Sequence, residues 1–271
     1  MGLIDMSESV RINDVDGTKE WVVKGLRHRE DGPALIYSDG QCEWWLHGIR
    51  HRKDGPAIIK PNSYEEWWFE GKLHREDGPA ATYANGRYEW YNHGVLHRIG
   101  GPAIDRVDDI QEWWVNGKRH REDAPAVVSV NGTREWWVDG LLHREGAPAI
   151  IRADGGQEWL ILHQRHREDG PAIIDADGSR EWWVDGHLHR EGAPAIIRAD
   201  GSEHWFISGR YHREDGPAAI FSDGRQEWWL RGERHREDGP AIIHADGRES
   251  WWLNGELLDK NDLAAKGMQP G

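Results

Sequence analysis

The chain has 271 residues, with 34 Lys+Arg against 48 Asp+Glu and a formal net charge of -14. That balance opposes nucleic acid and anionic membrane, which reward clustered Lys and Arg. A single cysteine, Cys42, leaves no internal disulfide, and no apolar run approaches the roughly 18 residues of a membrane span. Eighteen Trp against three Phe and three Met set it apart from an ordinary globular composition and from disorder. The opening MGLIDMSESV has no basic stretch before an apolar one, so no signal peptide is read there and a cytoplasmic location is expected.

Residues 1–9 read as an N-terminal cap. Beyond them the chain repeats every 23 residues: His28, His51, His74, His97, His120, His143, His166, His189, His212 and His235 are each followed by Arg, and five and six places later by Pro-Ala. Seven places before each His stands Trp, from Trp21 to Trp228, and Trp251 keeps the phase. No insertion or deletion breaks ten intervals, although surface loops tolerate length change cheaply. Strict length is the mark of a stacked array in which every part of a repeat touches its neighbour.

Within a repeat, β-prone runs flank Asp-Gly or Asn-Gly, as in Ala172-Ile173-Ile174, Asp177-Gly178 and Glu181-Trp182-Trp183-Val184. This pair suits a two-residue type I′ hairpin turn, which needs positive φ at both central positions. It fails at Asn62-Ser63 and Asp108-Asp109. Eleven hairpins are expected between about Val10 and Gly255. A second turn follows each outgoing strand, as at His47-Gly48 and Asn116-Gly117. His-Arg-Glu-Asp-Gly-Pro then leads to the next hairpin, with Pro at a strand entrance, where its missing amide costs nothing. Residues 256–271 read as a C-terminal cap. Asp259 to Gly267 would form a short helix over the last strand edge.

A two-residue turn at Asp39-Gly40 sets Leu35 opposite Trp44 and Ala34 opposite Trp45, on opposite faces. The unbroken Trp row, with Val23, Leu46, Phe69, Val115 and their equivalents, is then the core face. The other face carries Ala34, Ile36, Glu43 and a second aromatic row: Trp45, Trp68, Tyr91, Trp114, Trp137, Trp183, Phe206 and Trp229. These eight residues are the candidate partner-binding surface if the His-Arg-Glu-Asp loops leave them open. Same-column rings about 10 Å apart also match a disaccharide, so a carbohydrate ladder is the alternative use.

The His-Arg-Glu/Asp clusters, with His120, Arg121, His143, Arg144, His166 and Arg167 as examples, read as a structural ladder. A tenfold copy makes a poor active site, and the adjacent Arg repels a metal cation. In this ladder Arg pairs with carboxylates of its own and the next loop, while His bonds turn backbone groups. Neutral His so bonded makes the array acid-sensitive; His held against carboxylates reverses the sign. The row Glu20, Glu43, Glu66, Glu89, Glu112, Glu135, Glu158, Glu181 and Glu227 is likewise structural rather than the paired acids of a glycosidase. No nucleophile motif, phosphate-cradling loop or zinc spacing occurs, so no catalytic residue, metal or cofactor is expected. The pattern deviates at Lys60-Pro61, Ile99-Gly100, Asp105 to Asp109 and His163, and the cluster in repeats three to five would be a place for a partner to dock.

The run Glu112-Trp113-Trp114-Val115-Asn116-Gly117-Lys118-Arg119-His120 resembles the Trp-x-x-Gly-Lys-x-His-Gly core of MORN repeats, and the resemblance extends over residues 10–255. MORN repeats continue Gly-x-Gly after His, whereas this chain continues Arg-Glu-Asp-Gly-Pro-Ala. The resemblance implies an all-β, elongated and twisted antiparallel array of hairpins that acts as a scaffold. A non-enzymatic chain binding a protein partner through the aromatic face or an acidic rim is the resulting expectation.

Overall fold

The computed structural model describes residues 9–12, 16–106, 108–259 and 263–264. The described residues are almost entirely strands and turns, arranged as antiparallel β-hairpins. The chain divides into two compact units, 1–140 and 141–271, built in the same way. No helix among the described residues is long and apolar enough to cross a membrane. Of the expected C-terminal helix, Leu263 and Ala264 have helical backbone, with the Leu263 amide donating to Asp259 O at 3.0 Å. The rest of 260–267, and the expected cap over 1–8, lie outside the described residues.

Each repeat contains two hairpins. The main hairpin pairs, for example, Leu35–Ile36 with Cys42–Glu43, and Cys42–Glu43 pairs in turn with Ile58–Lys60 of the next hairpin. The side hairpin follows at once: Trp45–Leu46 pairs with Ile49–Arg50. Both sets run through each unit, so each repeat is bonded to its neighbour along its length.

The main turn differs from the expected type I′ pair. Gly40 has φ +90° but Asp39 stays outside the left-handed region. The Gly40 amide donates to Tyr37 O at 3.1 Å, and Tyr37 N donates to Gln41 O at 2.9 Å. This is a three-residue loop, a type I turn closed by a left-handed glycine. Asp39 Oδ1 accepts the Gln41 amide at 2.9 Å, which explains Asp at that position better than a second positive φ would. The type I′ turn belongs to the side hairpin: His47-Gly48 (φ +49° and +79°) and Asn116-Gly117 (φ +49° and +76°) are both left-handed.

The extra loop residue moves the register by one. Leu35 pairs with Glu43 and Ile36 with Cys42, so Leu35 shares a face with Glu43 while Ala34 and Ile36 turn to the other side. The expected pairings Leu35–Trp44 and Ala34–Trp45 are therefore incorrect. The fully buried row is the alanine after each Pro: Ala34, Ala57, Ala80, Ala103 and Ala126 in the first unit, and Ala149, Ala172, Ala195, Ala218 and Ala241 in the second. Leu35, Ile58, Ile104 and Val127 are buried beside the Glu row instead. No large side chain among the described residues is completely buried.

The two irregular main turns keep this register. Ile58 pairs with Glu66 although Asn62 and Ser63 replace Asp-Gly, and both adopt left-handed φ of +71° and +63°. Ile104 pairs with Glu112 although Asp108-Asp109 replaces the pair. Bonding to hairpins on both sides imposes the turn where local chemistry does not favour it.

Left-handed backbone generates a paired prediction. Gly178→Ala, at φ +89°, is expected to lower stability by about 1–2 kcal/mol. His163 is a side-turn residue at φ +70° where every other repeat has Gly, so His163→Gly is expected to raise stability by up to about 1 kcal/mol. Denaturant melts of the two variants should move in opposite directions.

Candidate functional site

The repeated side chains form three connected ladders. In the first, the Arg after the repeat His lies over the invariant Trp eight residues earlier in nine repeats. Guanidinium-to-ring distances run from 3.8 Å for Arg98 over Trp90 to 4.2 Å for Arg29 over Trp21. Arg121 covers Trp113 and Arg167 covers Trp159, both at 4.0 Å. The same Arg donates through Nη1 to the carbonyl of the Pro four residues on: Arg121 to Pro125 at 3.1 Å, Arg144 to Pro148 at 3.1 Å and Arg167 to Pro171 at 3.2 Å. In five repeats Arg Nε also donates to the Asp two places later, as Arg167 does to Asp169 at 2.8 Å, and the guanidinium holds that carboxyl below its usual range. A Cβ on Gly78 would stand 2.7 Å from Arg75 Cζ, while Ala124, Ala147 and Ala193 hold the equivalent position in three other repeats. Burial depresses the Arg121 and Arg144 guanidinium pKa values, and for Arg121 the Asp123 charge opposes that shift.

The second ladder is the histidines. Each ring accepts, at Nδ1, the amide of the first side-turn residue of the next repeat: His47 N to His28 at 3.1 Å, Asp139 N to His120 at 3.2 Å, Leu162 N to His143 at 3.3 Å and Asp185 N to His166 at 3.2 Å. All ten histidines of the repeat do this. The following turn glycine donates to a carbonyl of the preceding repeat, as Gly48 N does to Arg27 O at 2.8 Å. Two amides that a left-handed turn points outward are thus satisfied from the neighbouring copy. An accepting Nδ1 requires the neutral imidazole with its proton on Nε2. Burial, and then the nearby His93, lower the pKa of His74.

The third ladder lies on the Glu face. Trp45, Trp68, Trp114, Trp137, Trp183 and Trp229 donate Nε1–H to the Glu two residues earlier, at 2.7–3.0 Å. Tyr91 donates its hydroxyl to Glu89 at 3.1 Å, and burial followed by the Glu89 charge pushes its pKa up to about 12. Glu43, Glu89, Glu112, Glu158 and Glu227 are buried. Side-hairpin arginines complete the set: Arg119 Nε reaches Glu112 at 3.0 Å, and its guanidinium lies 5.2 Å from the Trp114 ring and 5.1 Å from that of Trp137. Arg50 and Arg234 each lie between two rings in the same way. Phe206 has no donor; its repeat has His204 for Glu and Tyr211 for Arg, and Phe206 and Tyr211 pack at 4.0 Å.

The eight candidate partner-binding aromatics are therefore half-buried, with Phe206 buried, and their donors are directed at carboxylates within their own ladder. Glu20, Glu43, Glu89, Glu112, Glu158, Glu181 and Glu227 each meet an Arg. Among the described residues no group of three or more His, Cys, Asp or Glu is placed to hold a metal ion. The loop carboxylates are the accessible groups: Glu168, Asp169, Glu214, Asp215, Glu237 and Asp238 are 80–85 % exposed. Of the expected Arg pairing with its own and the next loop, the bonds seen among the described residues are to Asp of the same loop, and the His bonds a turn amide as expected. Sequence reasoning missed the stacking of Arg on Trp; a Trp–Arg pair at constant separation was the available signal.

Trp136→Ala is expected to cost about 3–5 kcal/mol, since Trp136 is buried. Trp183→Ala should cost a comparable amount, because it also strips Glu181 of its indole donor at 2.9 Å. Urea unfolding of both variants checks this; a Trp183→Ala loss below about 1 kcal/mol would contradict the ladder.

His74, whose pKa burial lowers while its Nδ1 accepts the His93 amide, sets the sign of the pH response. A histidine whose folded pKa lies below its unfolded value binds fewer protons when folded, so its contribution is complete above the unfolded pKa of about 6.5 and falls as pH drops through it. Two rings face opposing charge: His120 Nδ1 lies 3.3 Å from Asp139 Oδ1, and His166 Nδ1 lies 3.0 Å from Asp185 Oδ1. Loop glutamates stand 3.7–4.0 Å from Nε2 in five repeats but are themselves exposed. The melting temperature should therefore fall between about pH 7 and pH 5.5. A rise toward pH 5.5 would show the carboxylates outweighing the amides.

No family model matches the chain, and no curated protein matches it. The residues and their geometry describe a tandem β-hairpin repeat.

Proposed function

We propose that this chain is a non-enzymatic scaffold of MORN-like repeats that binds a protein partner through its acidic rim. One observation carries the reading: the aromatic, Glu, His and Arg rows are engaged within the ladders, while loop carboxylates recur, exposed, on loops held by the Arg–Trp brace. A surface of this kind suits a partner with regularly spaced basic groups, since charge complementarity steers association and fixes register. The -14 net charge adds to the attraction.

The test replaces Glu168, Asp169, Glu214, Asp215, Glu237 and Asp238 with Gln or Asn. The fold should persist, because exposed pairs contribute only about 0–1 kcal/mol each. A partner cross-linked to the wild-type chain in its native cell should be lost from the variant, and its binding to wild type should weaken with salt. An unchanged set of bound proteins would refute the acidic-rim reading.

A further inference from the structure

Repeat seven departs from its relatives at two adjoining places. Leu160 occupies the second-row position where seven of the eleven repeats have Trp, and His163 replaces the side-turn glycine that every other repeat keeps. Both side-turn residues are left-handed, Leu162 at φ +48° and His163 at φ +70°. Backbone strain of this kind concentrates where a side chain is needed for something other than folding. The two departures line one groove of about 470 Å³, together with Leu142, Glu158, Arg165 and Trp183.

The other repeats show what is missing. In six of them an indole donates to the Glu two residues earlier at 2.7–3.0 Å, with a side-hairpin Arg of its own or the preceding repeat beside its ring. In repeat seven the acceptor is in place: Glu158 is buried, held by Arg165 Nε at 3.2 Å and by Arg152. Arg165 is also in place, 5.1 Å from the Trp183 ring. Leu142, buried like Leu160, also lines the groove, and its amide donates to His163 Nδ1 at 3.4 Å, so the strained histidine is tied to the lining. What repeat seven lacks is the ring.

We propose that the repeat-seven groove binds an indole ring, whose N–H donates to Glu158 and whose faces pack between Arg165 and Leu142. The ring completes the ladder as an intrinsic Trp does elsewhere. Its source is either a small indole compound or a Trp side chain of a polypeptide. The site does not rest on the acidic-rim reading, and its failure leaves that reading untouched.

Fluorine NMR of a fluorinated indole titrated with the full chain tests this. Saturable binding is expected, weakened at least about tenfold in Leu160→Trp, which fills the site with the repeat's own ring. That variant should melt no lower than wild type, because it restores the pattern of its neighbours. The N-methyl analogue, which lacks the donor, should bind several-fold more weakly. Tighter binding of a short Gly-flanked Trp peptide than of free indole assigns the ring to a polypeptide; the reverse assigns it to a small molecule. Absence of saturable binding, equal binding by Leu160→Trp, or a marked loss of stability in that variant would overturn the site.

Discussion

The structure depends on one constraint: every repeat must satisfy the outward-pointing amides of the next repeat's side turn. A type I′ turn leaves its two central N–H groups without partners in its own hairpin. Here the first goes to a histidine Nδ1 and the second to a carbonyl of the preceding copy, as with His47 and Gly48 meeting His28 and Arg27. An acceptor fixed to a β-hairpin and a donor fixed to the next leave no slack for an added residue. The unbroken 23-residue spacing follows directly. The last repeat is consistent with this logic: Leu258, whose amide bonds Trp251 O at 2.8 Å as each ladder His does, occupies the His position but offers no acceptor.

Cohesion without a deep core is the second consequence. Alanine alone fills the completely buried row, and the large side chains remain partly open. Their contribution comes from stacked, hydrogen-bonded columns. Arginine serves in two of them, flat on the invariant Trp in one and beside second-row rings in the other. Its planar, permanently charged group can lie against a ring while its edge donates to a Pro carbonyl or a Glu. Lysine has no such plane, which accounts for Arg at every loop position. Buried carboxylates are tolerated because each one is flanked by such donors.

A regular array carries specific information only where it deviates. Deviations in the main turns at 62–63 and 108–109 are absorbed without change of register. Those at Leu160 and His163 are different, because they remove a ring from a column and introduce left-handed strain beside the gap. A column built by addition of equivalent rings defines the shape and chemistry of whatever replaces a missing one.

The amino-acid sequence by itself determined the repeat, its β-hairpin construction and the structural use of the His-Arg loops. These follow from period, β-branched runs and Gly-containing turns, which act over a few residues. Tertiary structure decided the register and the faces. Whether Asp39-Gly40 closes a two- or three-residue loop depends on hydrogen bonding along the sheet, and a shift of one residue exchanges Leu35 and Ala34 between faces. It also decided that the second aromatic row is half-buried, because its cover comes from arginines across the side turn and from adjoining repeats. The gap at Leu160 was invisible in sequence as a site, since a substitution becomes a groove only where the surrounding ladder keeps its shape.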